Sequence, residues 1–317
     1  MMKMLDNLGL IIGITLMYAT PLIFVALGGV ISENSGVVNI GLEGLMTLGA
    51  FVGAAVGFYA HNPWLAFLAA GIASGLLALL HAIASVTFKA NQVVSGVAIN
   101  FIGAGAALFL SRLFFEGATM TKPIDLKYKM PKPFEGLFHN LSAGNSFAAQ
   151  VFNQYITVYL AFFMVLAIWF VLYKTRFGLR VRSVGEHPAA ADTLGINVYA
   201  IRYVCVIASG VFAGFGGAAM SLAVVSLFSP TLISGQGFIA LAAMIFGNWK
   251  PQGAMWACLL FGGAQGLAVF LGGSGLGFPS QILAMMPYVI TLFALVLFVG
   301  KSRMPKADGV PYEKGKR

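Results

Sequence analysis

The sequence predicts an all-α, polytopic transmembrane helical bundle of about eight to ten helices. Three observations predict it. The 317 residues are 59% hydrophobic and only 9% charged, with a mean hydropathy of +0.88, whereas soluble domains carry about 25% charged residues. Apolar runs of about 18 residues or more recur, each long enough to cross a bilayer. Glycine occurs 39 times. Small-xxx-small sets such as Gly49/Gly53/Gly57, Gly71/Gly75, Gly210/Gly214 and Gly262/Gly266 let helix backbones approach closely in lipid.

Nine apolar segments follow in order: 8–30, 37–60, 63–87, 91–115, 155–173, 203–226, 236–248, 254–271 and 282–300. The first is too long for a signal peptide, and no small-residue cleavage site follows it. The seventh is short and lies between Gly235 and Gly247, so it reads as re-entrant or broken. Residues 35–50 and 234–247 each open on glycine and polar residues and then turn apolar. Such a pair suits an inverted repeat, with broken helices meeting near the midplane around a solute path; on sequence alone a chance likeness is the stronger alternative. The whole chain, 1–317, is read as one transmembrane domain with its spans over 8–300.

The net charge of +9 raises the question of nucleic acid, and its distribution argues against it. Placing the 174–202 loop and the 301–317 tail in the cytoplasm puts Lys89 and Lys250 in short cytoplasmic turns. Thirteen of the 19 Lys and Arg then fall on that side, which is the positive-inside asymmetry of a membrane protein. The 116–154 stretch becomes a large external loop, and the N-terminus is external.

The 174–202 loop is the longest polar interruption in the second half of the chain. It carries Lys174, Arg176, Arg180, Arg182 and Arg202. Pro188 suits the first position of a helix and Gly195 the residue just past its end. A helix over 188–194 has about two turns and needs something to pack on. Its small outer face, with Ala189, Ala190 and Ala191, suits the groove of another protein; an ordered loop between two membrane helices is the plainer alternative. Gly185 and Gly195 are expected to let the chain turn at either end.

No reaction chemistry is legible. Gly300-Lys301-Ser302 resembles the end of a phosphate loop, but Leu295 stands where that loop needs glycine. Gly214 to Ala219 imitates a dinucleotide fingerprint without its strand–turn–helix setting, so it reads as a packing surface. His61, His81, His139 and His187 are scattered, and Cys205 and Cys258 lie in apolar spans. No metal, cofactor or nucleophile–base set is expected, and the chain is not read as an enzyme.

Polar residues inside the spans are costly and therefore informative. Glu43 is the only carboxylate within the nine segments, and Asn39 stands four residues before it, on the same helical face. Gln92, Asn100 and Gln236 join them as candidates for a translocation pathway; interhelical hydrogen bonding is the alternative for each. No Asp or Glu occurs from Gly44 to Phe115 or from Thr193 to Ala307. Ion-coupled transporters use such carboxylates, so energy for uphill transport is expected to enter elsewhere. A self-sufficient secondary transporter using Glu43 is the rival.

Four motifs carry a resemblance. They are Ser35-Gly36-Val37-Val38-Asn39-Ile40-Gly41-Leu42-Glu43-Gly44-Leu45-Met46, then Asn91 through Asn100, then Phe177 through Ala191 continuing to Val198, and finally Gly237 through Pro251. Over residues 8–300 the chain resembles bacterial ABC-importer permeases of the branched-chain amino acid, ribose and nucleoside group. Within that group it is most similar to the shorter permease of purine-nucleoside importers. The resemblance implies a permease subunit for nucleosides, with ribose as the near alternative. It implies a multi-pass protein of the bacterial plasma membrane. It also implies a separate ABC ATPase, an external lipoprotein solute-binding protein, and a second related permease or a second copy of this chain. Residues 185–195 match the family's coupling segment, so Gly185, Glu186, Pro188, Ala190, Ala191 and Gly195 are expected at the ATPase contact.

Overall fold

The computed structural model describes residues 2–139, 147–273 and 303–315, together with Ile282, Met285, Val289, Leu292 and Phe293. Twelve helices and no strand occur among the described residues. They are α1 (Met2–Glu33), α2 (Leu42–Ala60), α3 (Pro63–Ala82), α4 (Gln92–Phe114), α5 (Glu135–His139), α6 (Phe147–Phe152), α7 (Ile156–Lys174), α8 (Arg176–Glu186), α9 (Pro188–Thr193), α10 (Val198–Ala219), α11 (Gln236–Phe246) and α12 (Pro251–Gly273). Two of them end in a π-helical turn, α3 over Ile83–Thr87 and α10 over Met220–Val224.

Local chemistry fixes several helix starts. The Asn62 side chain accepts the N–H groups of Trp64 and Leu65, with Pro63 at the first helical position of α3. Asn91 accepts those of Val93 and Val94 at the start of α4, and Asn197 that of Ala200 at the start of α10. Each cap satisfies donors that a helix leaves free.

Among the described residues seven helical segments are long and apolar enough to cross a membrane: Asn7–Glu33, Leu42–Ala60, Pro63–Thr87, Gln92–Phe114, Ile156–Lys174, Val198–Val224 and Pro251–Gly273. Two of the boundaries that follow differ from the sequence expectation and one agrees with it. Residues 37–41 are unwound, and α2 begins only at Leu42. The sixth segment begins at Val198 rather than 203, so Arg202 belongs to a membrane helix and not to the polar loop. The seventh is the short α11, as its glycine flanks suggested. The expected segment 282–300 lies outside the described residues, apart from five positions that are helical.

Helices α1, α2, α3 and α10 pack around the centre of the bundle. A Cβ on Gly49 would lie 2.5 Å from the Gly214 Cα, so α2 and α10 touch backbone to backbone. A Cβ on Gly262 would lie 2.7 Å from the Ala19 nitrogen, which joins α12 to α1 in the same way. Close approach of this kind supplies the dispersion contacts that hold helices together in lipid, where apolar burial gives no driving force. The rings of Phe67 and Phe215 stack at 4.5 Å, and Phe24 meets Phe67 edge-on at 5.8 Å.

The loops sort into two ends. The Tyr59 hydroxyl donates to the Phe114 carbonyl, and the N–H groups of Thr121 and Ile124 donate to the carbonyls of Phe228 and Ser226. Gly9 and Gly13 lie against Phe147 and Gln150. The start of α1 and the residues around 115–155 therefore share one end. At the other end Asn34 donates to the Trp249 carbonyl, the Ala307 N–H donates to the Gly185 carbonyl, and Lys89 pairs with Glu313 at 3.5 Å. This basic end gathers Lys89, the 174–202 region and the tail. An impermeant thiol reagent on intact cells should label Lys127→Cys and leave Lys306→Cys unlabelled. The native Cys205 and Cys258 are buried and contribute little background. The reverse labelling pattern would invert the orientation.

Candidate functional site

Past Glu33 the chain makes a hydrogen-bonded turn over 34–36 and then runs back into the bundle over 37–41 outside any regular helix. Its freed backbone groups need partners, because lipid offers none. Side chains of α3 and α4, and Asn39 of the stretch itself, supply them. Gln92 accepts the Val38 N–H at 2.7 Å, and a ring nitrogen of His81 faces the Val38 carbonyl at 3.0 Å. Asn100 accepts the Gly44 N–H at 2.8 Å and donates to the Ile40 carbonyl at 3.1 Å. Asn39 accepts the Gly41 N–H at 3.1 Å and donates to the Ser209 hydroxyl at 2.9 Å. Asn39 is thus in the unwound stretch and shares no helical face with Glu43, because the regular helix starts after it.

A second break lies in the other half of the chain. Gly235, with φ of 91°, ends an irregular descent over 226–235 and begins α11. The two breaks meet at Glu43. Its carboxylate accepts the Gly235 N–H at 2.6 Å and the Gly237 N–H at 2.7 Å. A Cβ on Gly237 would lie 2.5 Å from the Glu43 Cα, so no larger residue fits the contact as it stands. Glu43 is also the second residue of α2. One carboxylate therefore lies between two helix N-termini, each carrying about half a positive charge. Without it the two dipoles would repel, and the first N–H groups of α11 would lack acceptors.

The junction lies well inside the bundle. Asn100 bonds to Gly44 and stands eight residues beyond Gln92, about 12 Å along α4 at 1.5 Å per residue. Around the junction Glu43 and Gln236 are half-buried, while Ser234 and Phe238 are exposed. Asn39 and Gln92 are buried. Of the five polar residues singled out in the sequence, three support the unwound backbone, Glu43 joins the two breaks, and Gln236 opens α11.

A further carboxylate cluster escaped the sequence reading. The segment 8–30 stopped short of Glu33, but α1 continues through it, so Glu43 is not the only carboxylate in the spans. Glu33 is buried, accepts the Trp249 indole N–H at 2.5 Å, and shares a hydrogen bond with Asp308 of the tail. Arg202 is buried in the second turn of α10 and donates to the Val310 carbonyl at 3.0 Å. Burial pushes the Asp308 carboxyl up to about 7, against the opposing pull of Glu33, the Gly309 N–H and Arg202. The tail is therefore a strap. It crosses the basic end and touches α8 through Gly185, α9 through a Lys314–Asp192 pair at 3.7 Å, and α10 through Tyr199 and Tyr312. A Glu and an Asp 275 positions apart give no local signal of such a pairing; the nearest hint was a carboxylate just past an apolar run.

The proposed coupling residues divide into two groups. Helix α9 ends at Thr193, one residue earlier than expected, and Gly195 is left-handed at φ 81°. Gly185 makes no turn: it lies inside α8, where its missing side chain admits the Asn34 carbonyl. Ala191 is buried with Val184, Val198 and Tyr312. Glu186, Ala190, Leu194 and Gly195 are exposed, and Pro188 is half-buried.

Two predictions follow from this geometry. Glu43→Ala strands two N–H groups, at about 1–3 kcal/mol each, and should lower the Tm of the purified protein clearly. Glu43→Gln keeps one acceptor oxygen and should lose less. Equal Tm values for wild type and Glu43→Ala would contradict the junction. The Asp308 carboxyl sits above its ordinary value of 3.8, so the folded state holds its proton more tightly. Its contribution to tail docking is complete below about 4 and is lost as the pH rises through about 7. The groups facing it are Glu33, the Gly309 N–H and Arg202, with Tyr199 and Tyr312 facing Arg202 in turn. Hydrogen-exchange protection of 303–315 should fall between pH 6 and pH 8, and Asp308→Asn should flatten the change; identical slopes would contradict it.

The sequence pattern of the family described as branched-chain amino acid transport system / permease component matches residues 11–299. The guanosine ABC transporter permease protein NupQ of Bacillus subtilis is 48% identical over 100% of both chains. The nucleoside ABC transporter permease protein NupC of Lactococcus lactis is 44% identical over 99% of this chain and 100% of its own. A second guanosine ABC transporter permease protein of Bacillus subtilis, NupP, is 25% identical over 89% of this chain and 80% of its own. No solved structure matches the chain.

Proposed function

Because the chain belongs to the branched-chain amino acid transport system / permease component family, we propose that it is the permease subunit of an ATP-driven importer for nucleosides, with purine nucleosides such as guanosine as solutes. The observation that carries this reading is the 48% identity to a guanosine permease over the whole of both chains. The geometry supports it. Two broken helices meet inside the bundle, the arrangement that borders solute paths in transporters. Glu43 and Gln236 face that path, and Asn39, Gln92 and Asn100 support it from behind. A nucleoside is neutral, with a flat base and several hydroxyls, and a path offering amides, hydroxyls and aromatic rings suits it.

ATP hydrolysis belongs to a separate subunit. The exposed Glu186, Ala190, Leu194 and Gly195 are the surface it grips, while Gly185 and Ala191 shape that surface from inside. The subunit NupP shares its printed solute with NupQ in one organism, which supports a second related permease as the partner across the path. A lipoprotein binding protein delivers the solute on the side of the 115–155 connection, and the assembly sits in a bacterial plasma membrane.

Radiolabelled guanosine uptake tests this reading. The chain is expressed with its own ATPase, second permease and binding protein in cells lacking nucleoside uptake. Uptake should appear and should survive an ionophore at constant ATP. Ala190→Glu puts an unpaired charge in the contact and should lower uptake and ATPase co-purification roughly tenfold or more, with membrane expression unchanged. Accumulation of ribose instead of guanosine would overturn the solute. Loss of uptake to the ionophore alone would favour a secondary transporter built on Glu43.

A further inference from the structure

We propose that the basic end of this protein carries a binding site for a phosphate group, occupied in the membrane by the headgroup of an anionic phospholipid. A cavity of about 280 Å³ opens there, between the ends of α1 and α7, helix α8, the α11–α12 turn and the tail. That is close to the lower bound of about 300 Å³ for small-molecule clefts. Arg182, Lys250 and Arg303 line it, with Glu186 as the one carboxylate among the described residues of its wall. None of these four side chains makes an ion pair among the described residues. The wall therefore carries three cations against one anion.

The site is held in place by its surroundings. The Arg182 guanidinium lies over the Tyr173 ring at 4.9 Å, and its Nε donates to the Leu172 carbonyl at 3.1 Å. Asn248 accepts the Arg303 N–H at 2.8 Å and fixes the start of the tail. Asn248 and Trp249 both have positive φ, 56° and 55°. Such strained backbone persists only where its surroundings impose it.

The position favours a lipid headgroup over a soluble anion. Tyr173 and Lys174 end the α7 span, and the Lys174 ammonium lies 5.8 Å from the Trp169 ring. An aromatic and a lysine together mark the interfacial level of a membrane. Helix α8 follows at once, with Phe177 and Leu179 exposed beside Arg176 and Arg180. Apolar and basic side chains together on one short exposed helix suit the headgroup region. Basic pockets between membrane helices at this level take anionic headgroups.

The test uses the full importer complex, purified and placed in lipid nanodiscs. Native mass spectrometry measures retention of phosphatidylglycerol against phosphatidylcholine in the wild type and in the double variant Lys250→Ala/Arg303→Ala. Arg182 is left intact because it also packs on Tyr173. The wild type should prefer phosphatidylglycerol, and the double variant should lose roughly tenfold or more of that preference. In parallel, the Tm of both proteins is read in phosphatidylglycerol, in phosphatidylcholine, and in phosphatidylcholine with inorganic phosphate. Stabilisation of the wild type by phosphatidylglycerol alone supports the lipid. Equal stabilisation by inorganic phosphate overturns the lipid in favour of a free anion. Equal retention by wild type and variant overturns the site. Retention by the isolated permease that vanishes in the complex shows that the ATPase fills the pocket, and also overturns the proposal.

Discussion

The Glu43 carboxylate accepts the N–H groups of Gly235 and Gly237, and the two broken halves of the bundle depend on that contact. A helix that begins inside a membrane has free N–H groups and a positive end with no water to receive them. Here two such beginnings face each other. Bringing them together without an anion would be unfavourable twice over, in desolvation and in dipole repulsion. One side chain answers both problems, and it does so from inside the first turn of α2.

That solution sets conditions on its neighbours. The 37–41 backbone must stay unwound to deliver Glu43, so Gln92, Asn100, His81 and Asn39 take up polar groups along it. Gly237 must lack a side chain, because a Cβ there would strike Glu43. The far side of the same elements leads to the basic end. Glu33 precedes the unwound stretch and binds Trp249, which follows α11. Movement of α11 relative to α2 would therefore be felt at Trp249, at Glu33, and in the tail that lies on α8 and α9. The Glu43 junction and the exposed α8–α9 surface are joined through two packed elements and one strap.

The fold was largely legible in the sequence because lipid imposes simple rules. Apolar length gave the spans, the glycine spacing gave the close helix contacts at Gly49, Gly214 and Gly262, and the glycine flanks marked α11 as short. The likeness of 35–50 and 234–247 was too slight in sequence to separate paired broken helices from chance, and only the structure brings the two stretches together at Glu43. The roles of the polar residues were less legible. An Asn or Gln in an apolar run reads the same whether it borders a path or holds backbone. Only the three-dimensional partner separates Asn100 on Gly44 from a residue facing solute. Hydropathy also set span ends too early at Glu33 and too late at Arg202, because a buried charge paired across the fold looks like the start of a loop. Ala191 and Gly185 show the same limit: small residues on a short helix reveal no inward or outward face.

Hydrogen–deuterium exchange at the start of α11 tests the central claim most directly. The amides of 235–238 are compared in the wild type and Glu43→Ala, both in nanodiscs at one pH, with the start of α3 as an internal reference. The account predicts slow exchange in the wild type and much faster exchange in the variant at 235–238, while the amides capped by Asn62 stay unchanged. Equal exchange at 235–238 in both proteins would show that Glu43 does not hold the junction.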